Sequence, residues 1–494
     1  MKLALINPPY RQVLDFTKPS FPLGLGYLKV MCKLNGISCD LYDLSHTVLT
    51  DNELCLKYKF SEYDCIGFST YTVNFKDTIK LIKKIKTNKN IILIGGHHAS
   101  LLGEKILDDF EFIDYTIMGY AENSFVNFIK FQNTSTLYDI PGLCYRKNDV
   151  IYKNEAVYCE LDLDKIPYPD FDDIIYDYPE NLEDLMELHI SSSRGCLFRC
   201  TFCVNCRRSF WIPRTVSDVV AEIAHQFDKK HYKVVNFIDC NFFINPERAV
   251  EIIEKTNDMF PGVRIIFQTR SDQIVRHETV IKRLLNNFNI RIIMGIESNS
   301  IDVLNRYKKD TTPEINQKAI SILKEHYSEV IIYLIMFDPL TTIKEVRTTF
   351  DFLKENDLFN FQNSRNLFQT MIPLYGTDYF DEYKNHYKID IHSISKPIYV
   401  NNDVQTLKNC YDLFINDYDD RIKAKLYYIL LTESELDDGD FKFFEIIYYY
   451  VFEFFLISLE KFGHTSYDFF KTTSIFNKLV NMLLKYENKR DCEE

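Results

Sequence analysis

The sequence predicts an α/β protein in three parts: an N-terminal Rossmann-like doubly wound parallel sheet, a partial (β/α)6 barrel, and a helical C-terminal region. Three observations carry this reading. Short apolar runs alternate with helical patterns over the first 130 residues, the same rhythm resumes at Leu188, and it stops near residue 390. The expected boundaries are 1–140 for the first sheet, 141–187 for a linker, 188–388 for the barrel and 389–494 for the helical part. A chain of 494 residues also exceeds one ordinary core.

In the first part, strands are expected over residues 3–7, 39–43, 65–69, 91–95 and 115–118. The clearest helical pattern between them spans 74–86. Ligands on such sheets bind beyond the carboxyl ends of the strands. The loops there read "NPPY", "DLSHT", "STYTVN", "GGHHAS" and "GYAEN", all rich in small, polar and turn-forming residues. Any one is ordinary loop chemistry; five on one edge predict a ligand-binding rim. Residues 140–190 lose the rhythm, and "LDLDKIPYPDFDDIIYDYPENLEDL" reads as an acidic, ordered linker wrapping a surface.

The second series predicts strands over 188–192, 234–238, 265–269, 290–294, 330–337 and 366–371, with helices such as 216–229 and 247–259. Six units suggest a partial barrel, whose chemistry belongs at the strand C-termini. Beyond residue 390 the chain is acidic, aromatic and helical in pattern, as in "FNKLVNMLLKYEN", and is suited to capping the barrel or shaping a pocket.

Composition excludes some functions. A net charge of -13 argues against non-specific binding to nucleic acid, which needs a basic face. The stretch "FKFFEIIYYYVFEFFLISLEKF" carries Glu445 and Glu453, so it falls short of the roughly 20 uncharged residues of a membrane span. The opening "MKLALINPPY" suits a buried strand better than an export helix. A reduced, cytoplasmic protein is expected, in which clustered cysteines point to metal or catalysis.

Such a cluster follows the first barrel strand. "SSSRGCLFRCTFCVNC" holds Cys196, Cys200, Cys203 and Cys206 within eleven positions. Three thiolates in a CxxxCxxC loop can ligate three irons of a cubane and leave the fourth iron open. The alternative is a structural zinc site using all four, although such sites usually pair two knuckles a dozen or more residues apart.

"CLFRCTFC" resembles the signature loop of radical S-adenosylmethionine enzymes, with Phe202 in the usual aromatic place before the third cysteine. "FIDCNFFINPERAVEI", "IIFQTRSDQI", "MGIESNSIDVLNRYKKDTT" and "IPLYGTDYF" resemble that family's second, third, fourth and sixth strand segments. "INPPY", "PLGLGYL", "STYTVN" and "GGHHAS" resemble the cobalamin-binding domain that precedes the barrel in one large subfamily. Together the resemblance covers residues 1–385. The chain departs from it at Gly119-Tyr-Ala-Glu122, where many members have a Gly-Glu-Gly-Glu-like turn, and at "MFDPLTT", where many have "GLPGET". The Asp-x-His-x-x-Gly signature is missing and His46 lacks the glycine, so no protein histidine is expected on cobalt.

The resemblance implies a 4Fe–4S cluster on Cys196, Cys200 and Cys203, S-adenosylmethionine on its open iron, and cobalamin on the first sheet. It further implies a 5'-deoxyadenosyl radical that takes hydrogen from a substrate, and an electron donor such as flavodoxin or ferredoxin. Asp239 is a candidate for the methionine ammonium, or else a helix N-cap near Asn245. Glu297 is a candidate for the amine or ribose hydroxyls, and Arg270 for a carboxylate, or else an ordinary ion pair. For cobalamin the candidates are Ser69, Thr70 and Tyr71 through their hydroxyls, Gly95 and Gly96 through close backbone approach, and His97, Gly119 and Glu122. His98 is an equal candidate, one of the two histidines being a satisfied loop residue. Cys206 and Cys240 are pocket thiols or small apolar residues, and Trp211 is a core residue or else packs near the cluster. The expected reaction is methylation of an unactivated carbon in a small-molecule or peptide substrate. The alternatives are a radical oxidoreductase or cyclase of the same subfamily, and a cobalamin-binding sensor with a vestigial barrel.

Overall fold

The first five strands form in sequence where strand-length apolar runs meet turn residues: β1 (Leu3–Asn7), β2 (Cys39–Asp43), β3 (Cys65–Ser69), β4 (Ile91–Gly95) and β5 (Tyr115–Ile117). This is seen in a computed structural model of the chain. It describes all residues except 12–19, 132–135, 159–161, 178–185, 206–209, 328, 361–362, 368, 432–445, 475 and 478–494, and only the backbone of 364–365, 418–431 and 446–447. Cys206 and nearly all of "FNKLVNMLLKYEN" thus lie outside the described residues.

The five strands are parallel, in the spatial order β5-β4-β3-β1-β2. Their helices are α1 (Leu23–Leu34), α2 (Asp51–Tyr58), α3 (Phe75–Ile85), α4 (Gly96–Asp109) and α5 (Glu122–Phe131). Alternation along β1 sorts them into two layers. Leu3 and Leu5 pack with Leu25 of α1 and Phe125 of α5. Ala4 and Ile6 pack with Leu54, Ile79 and Leu102 of α2, α3 and α4. The sheet is doubly wound, and its order reverses between β1 and β3, where such folds open a crevice.

The segment expected as a linker does more than connect. Residues Leu143–Lys147 and Val150–Lys153 form an antiparallel hairpin, β6 and β7, on the β5 edge, and β8 (Ile175–Tyr176) pairs with β2 on the other edge. Asn148 and Asp149 hold positive φ (50° and 61°), the two-residue turn that matches strand twist. The acidic composition hid these short strands.

β9 (Leu188–Ile190) opens the second sheet. A small antiparallel pair follows, β10 (Ser193–Gly195) with β11 (Trp211–Pro213). Then come α6 (Val216–Phe227), β12 (Val234–Phe237), α7 (Pro246–Met259), β13 (Arg264–Arg270), α8 (Ser271–Arg276), α9 (Glu278–Asn287), β14 (Ile290–Glu297), α10 (Ile301–Arg306), α11 (Pro313–Lys324), β15 (Ile331–Leu334) and α12 (Ile343–Glu355). The strands pair in parallel in the order β9-β12-β13-β14-β15.

The sixth strand expected over 366–371 is nearly absent as a ladder, with one parallel bridge between Phe337 and Thr370. Side chains replace it. Asn363 accepts from the Ile332 amide (3.0 Å) and donates to the Val330 carbonyl (2.9 Å). Asn366 does the same for Leu334 N (3.2 Å) and Ile332 O (3.1 Å). These amides satisfy the β15 edge as a strand backbone would.

The C-terminal helices, Asn402–Leu431 and Val451–Phe462, pack on the flank of the barrel. Phe452 stacks on Phe350 of α12 at 5.5 Å, and Tyr411, Phe414 and Phe455 join the barrel's own core. Among the described residues no helix is long and apolar enough to cross a membrane.

Candidate active site

The cysteine loop is fixed at both ends before any ligand is considered. Gly195 (φ 84°) lies so close to the Phe210 carbonyl that a Cβ there would sit 2.1 Å from its oxygen, so only glycine fits. At the far side the Thr201 amide donates to the Tyr307 carbonyl and the Tyr379 amide to the Thr201 carbonyl, both at 3.0 Å. Phe202 meets Tyr307 edge-on at 5.5 Å within a small core shared with Tyr379 and Met371. Its position makes it an anchor of the loop. Trp211 lies half-buried in β11. Cys196 and Cys200 are buried and Cys203 is half-buried.

Asp239 follows β12 and holds the start of the same loop. Its carboxylate accepts from the Ser192 amide (3.0 Å), the Ser192 hydroxyl (2.8 Å) and the Ser193 hydroxyl. Burial raises its pKa, against the lowering effect of these bonds and of Arg248. It caps no helix; Asn245 does so, accepting from the Arg248 amide at 3.0 Å. Two arginines complete the brace: Arg248 donates to the Ser192 carbonyl (2.6 Å) and Arg214 to the Ser191 carbonyl (3.1 Å).

Glu297 and Arg270 stand at the ends of neighbouring strands. Glu297 follows a bulge in β14 and takes positive φ (66°), a strained conformation for a side chain of its size. Its carboxylate pairs with the buried Lys309 ammonium at 2.8 Å. The Arg270 guanidinium pairs with Asp272 through Nε (2.7 Å), donates to the Lys309 carbonyl, and approaches Cys200 Sγ at 3.6 Å. The expected alternative, an ion pair, is therefore present, but it is buried and joined to the cysteine loop. Lys309 was missed by sequence reasoning although it lies in the "RYKKD" segment. The available signal was that a lysine so near barrel strand ends needs an anionic partner.

The barrel interior is the accessible face of the sheet. Ile265, Phe267, Ile292, Met294, Ile332 and Leu334 point outward into the core under the helices. The alternate residues, including Gln268 and Tyr333, face inward, and Tyr333 keeps 49% of its surface exposed. At the mouth, Cys240 is exposed and accepts a bond from Asn205 at 3.0 Å. Its thiol is nevertheless pushed up to about 12, first by desolvation and then by the neighbouring Cys203 and Cys196. Cys240 is therefore a thiol at the barrel mouth and not a core residue.

Tyr71 shows the same pair of properties on the first sheet. It is 42% exposed, yet desolvation raises its phenol. It stacks on His97 with ring centres 5.0 Å apart. Thr70 is buried and donates its hydroxyl to the Gly95 carbonyl at 3.1 Å, while Ser69 is half-buried. Gly96 packs so tightly that a Cβ would lie 2.6 Å from the Thr70 amide nitrogen. The structure thus brings Ser69, Thr70, Tyr71, Gly95, Gly96 and His97 together at the carboxyl ends of β3 and β4, beside the point where the strand order reverses. His98 is instead buried, bonded to Thr72 (3.0 Å) and His392 (3.2 Å). The two adjacent histidines are therefore one at the rim, His97, and one satisfied within the fold, His98.

Gly119 and Glu122 lie elsewhere. Gly119 rests against Tyr158. The Glu122 carboxylate bonds Arg194 at 2.5 Å, and Arg194 also lies over the Tyr120 ring at 4.5 Å. Arg194 is two residues before Cys196. The first sheet is therefore joined directly to the cysteine loop of the second, a connection that no local pattern could reveal.

The donor set fits the groups the sequence resemblance implies. Three thiols on one braced loop suit a cubane with an open iron, a buried carboxylate and two cations stand beside it, and the rim of the first sheet presents the partly exposed Tyr71 ring beside His97. Among the described residues no three His, Cys, Asp or Glu side chains converge as for a single ion.

Known proteins place this arrangement. The B12-binding-domain family matches residues 13–129, and the radical SAM superfamily matches residues 190–353. The chain carries a B12-binding domain ahead of a radical S-adenosylmethionine domain, and these families imply cobalamin, S-adenosylmethionine and a 4Fe–4S cluster. Among particular proteins, it is 25% identical to the uncharacterized methyltransferase PH0819 of Pyrococcus horikoshii, over 72% of this chain and 79% of the relative. It is also 25% identical to the anaerobic magnesium-protoporphyrin IX monomethyl ester cyclase of Cereibacter sphaeroides, over 66% of this chain and 55% of that protein. The fold matches the cobalamin-dependent S-adenosylmethionine radical enzyme OxsB, solved with aqua-cobalamin and S-adenosylmethionine bound. The TM-score is 0.70 at 18% identity, covering 99% of this chain and 83% of OxsB.

Proposed function

We propose that this enzyme methylates an unactivated carbon of a small-molecule or peptide substrate held between the rim of the first sheet and the mouth of the barrel. The observation that carries this reading is the Glu122–Arg194 bond, which ties the carboxyl-end edges of the two sheets together. Similarity to a protein named as a methyltransferase supports it. When bound, the cluster and S-adenosylmethionine supply a 5'-deoxyadenosyl radical, and cobalamin supplies the methyl group.

The chain's own residues position these groups. Cys196, Cys200 and Cys203 would hold three irons, and Ser192, Asp239, Arg214 and Arg248 brace their loop. Glu297, paired with Lys309, would hold the amine or the ribose hydroxyls of S-adenosylmethionine. Tyr71, His97 and Gly95 would hold the corrin at the rim of the first sheet. Electrons come from a small reduced donor of the flavodoxin or ferredoxin class. Closure of the space against water protects reactive species, and near-contact geometry matters at about the 1 Å scale.

Similarity to a cyclase favours one second reading, a radical ring-forming or oxidative reaction without methyl transfer. Incubation of the reconstituted enzyme with fractionated cell extract as substrate source separates the two. Methylation yields 5'-deoxyadenosine and S-adenosylhomocysteine together, whereas 5'-deoxyadenosine alone, with an unmethylated product, supports the cyclase-like reading.

A further inference from the structure

We propose that Arg270 sets the redox poise of the cluster by donating a hydrogen bond to the sulfur of Cys200. This rests on the reading of Cys200 as an iron ligand. The Arg270 Nη1 lies 3.6 Å from Cys200 Sγ, and both residues are buried, at 6% and 8% exposure. The guanidinium is held on three further sides. Its Nε pairs with Asp272 at 2.7 Å, its Nη2 donates to the Lys309 carbonyl, and its face lies 4.0 Å from the centre of the Phe198 ring. Phe198 sits between Cys196 and Cys200, so the cysteine loop both offers the sulfur and clamps the donor. Three of the five N–H groups are thus committed to protein, and the charge cannot be lost by deprotonation.

Hydrogen bonds to cluster sulfurs and burial are levers on reduction potential. One added electron makes the thiolates more negative. A fixed cation at a sulfur, screened little by water, therefore stabilises the reduced cluster more than the oxidised one. Arg270 makes the cluster easier for its donor to reduce. Asp272 offsets part of this field, which supplies a variant of opposite sign.

The test is a redox titration of full-length protein, reconstituted anaerobically, checked for four irons and followed by electron paramagnetic resonance without S-adenosylmethionine. At the potential that half-reduces the unaltered protein, Arg270→Gln should lower the reduced-to-oxidised ratio about tenfold, or about 59 mV for one electron. Arg270→Lys should recover part of it, and Asp272→Asn should shift the ratio the other way. Because no S-adenosylmethionine is present, a lost contact to its carboxylate cannot produce these shifts. If Arg270→Gln fails to hold iron, the direction of the Asp272→Asn shift decides. Midpoints unmoved in the loaded variants overturn the proposal. Failure of the unaltered protein to assemble four irons overturns the three-cysteine reading, and this proposal with it.

Discussion

Cys196, Cys200 and Cys203 differ from Cys32, Cys65 and Cys144 in their surroundings: the latter three are packed into the apolar layers of the first sheet. Replacing any one of the first set by alanine should abolish iron loading, expected at about four irons per chain for this cluster type. Cys65→Ala and Cys206→Ala should leave it unchanged. Zinc in place of iron in anaerobically prepared protein would contradict the assignment. The adjacent glycines of β4 and α4 give a sharper pair. Gly96→Ala forces a Cβ against Thr70 at positive φ (89°), and should cost about 1–3 kcal/mol in a denaturation experiment. At Gly95 a Cβ would meet nothing nearer than 3.9 Å, so Gly95→Ala should leave stability nearly unchanged while weakening cobalamin retention on gel filtration. Equal stability loss in both would remove Gly95 from the rim. The three cysteines were legible because their spacing is local. The partners of Asp239 were not, because Ser192 lies 47 positions away.

Strands β1–β5 and the five parallel strands of the second sheet were readable because short apolar runs bounded by turn residues mark them over a few residues, whereas β6–β8 were not. Where a side chain does a strand's work, that reading fails. Asn366 stands in the segment expected as a sixth strand, and its amide pairs with the β15 edge from a short helical turn. Asn366→Ala leaves the Leu334 amide and Ile332 carbonyl without that amide and should destabilise the protein by about 1–3 kcal/mol. The segment after the barrel is likewise tied to α4 through His392, which bonds His98 (3.2 Å) and Asp109 (2.8 Å). Desolvation, with the nearby His392, lowers the His98 pKa from 6.5 to about 3. In that window the unfolded chain takes up a proton that the folded chain does not, so stability should fall as pH drops from about 6.5 toward 3. Unfolding midpoints of His98→Gln should show a smaller pH slope there. An unchanged slope would mean that His98 does not stay neutral in the fold.

At the scale of the molecule, the two sheets share one boundary built of charge. Glu122 and Arg194 are joined within it, and each keeps one buried polar atom without a hydrogen-bond partner among the described residues. Such a pair contributes little net stability but defines one arrangement of its partners. Glu122→Gln should therefore reduce coupled product formation more than it reduces iron loading or cobalamin retention. Sequence reasoning expected Glu122 at the corrin because its loop lies on the rim. Only the packing of two sheets could show that it turns to the cysteine loop. The central claim is that one substrate lies between the cluster and the corrin, and methyl-deuterated S-adenosylmethionine tests it most directly. Mass spectrometry of the turnover mixture should find the deuterated methyl group in the substrate-derived product, formed with both 5'-deoxyadenosine and S-adenosylhomocysteine. A rearranged, cyclised or oxidised product without deuterium, formed with 5'-deoxyadenosine alone, would contradict it.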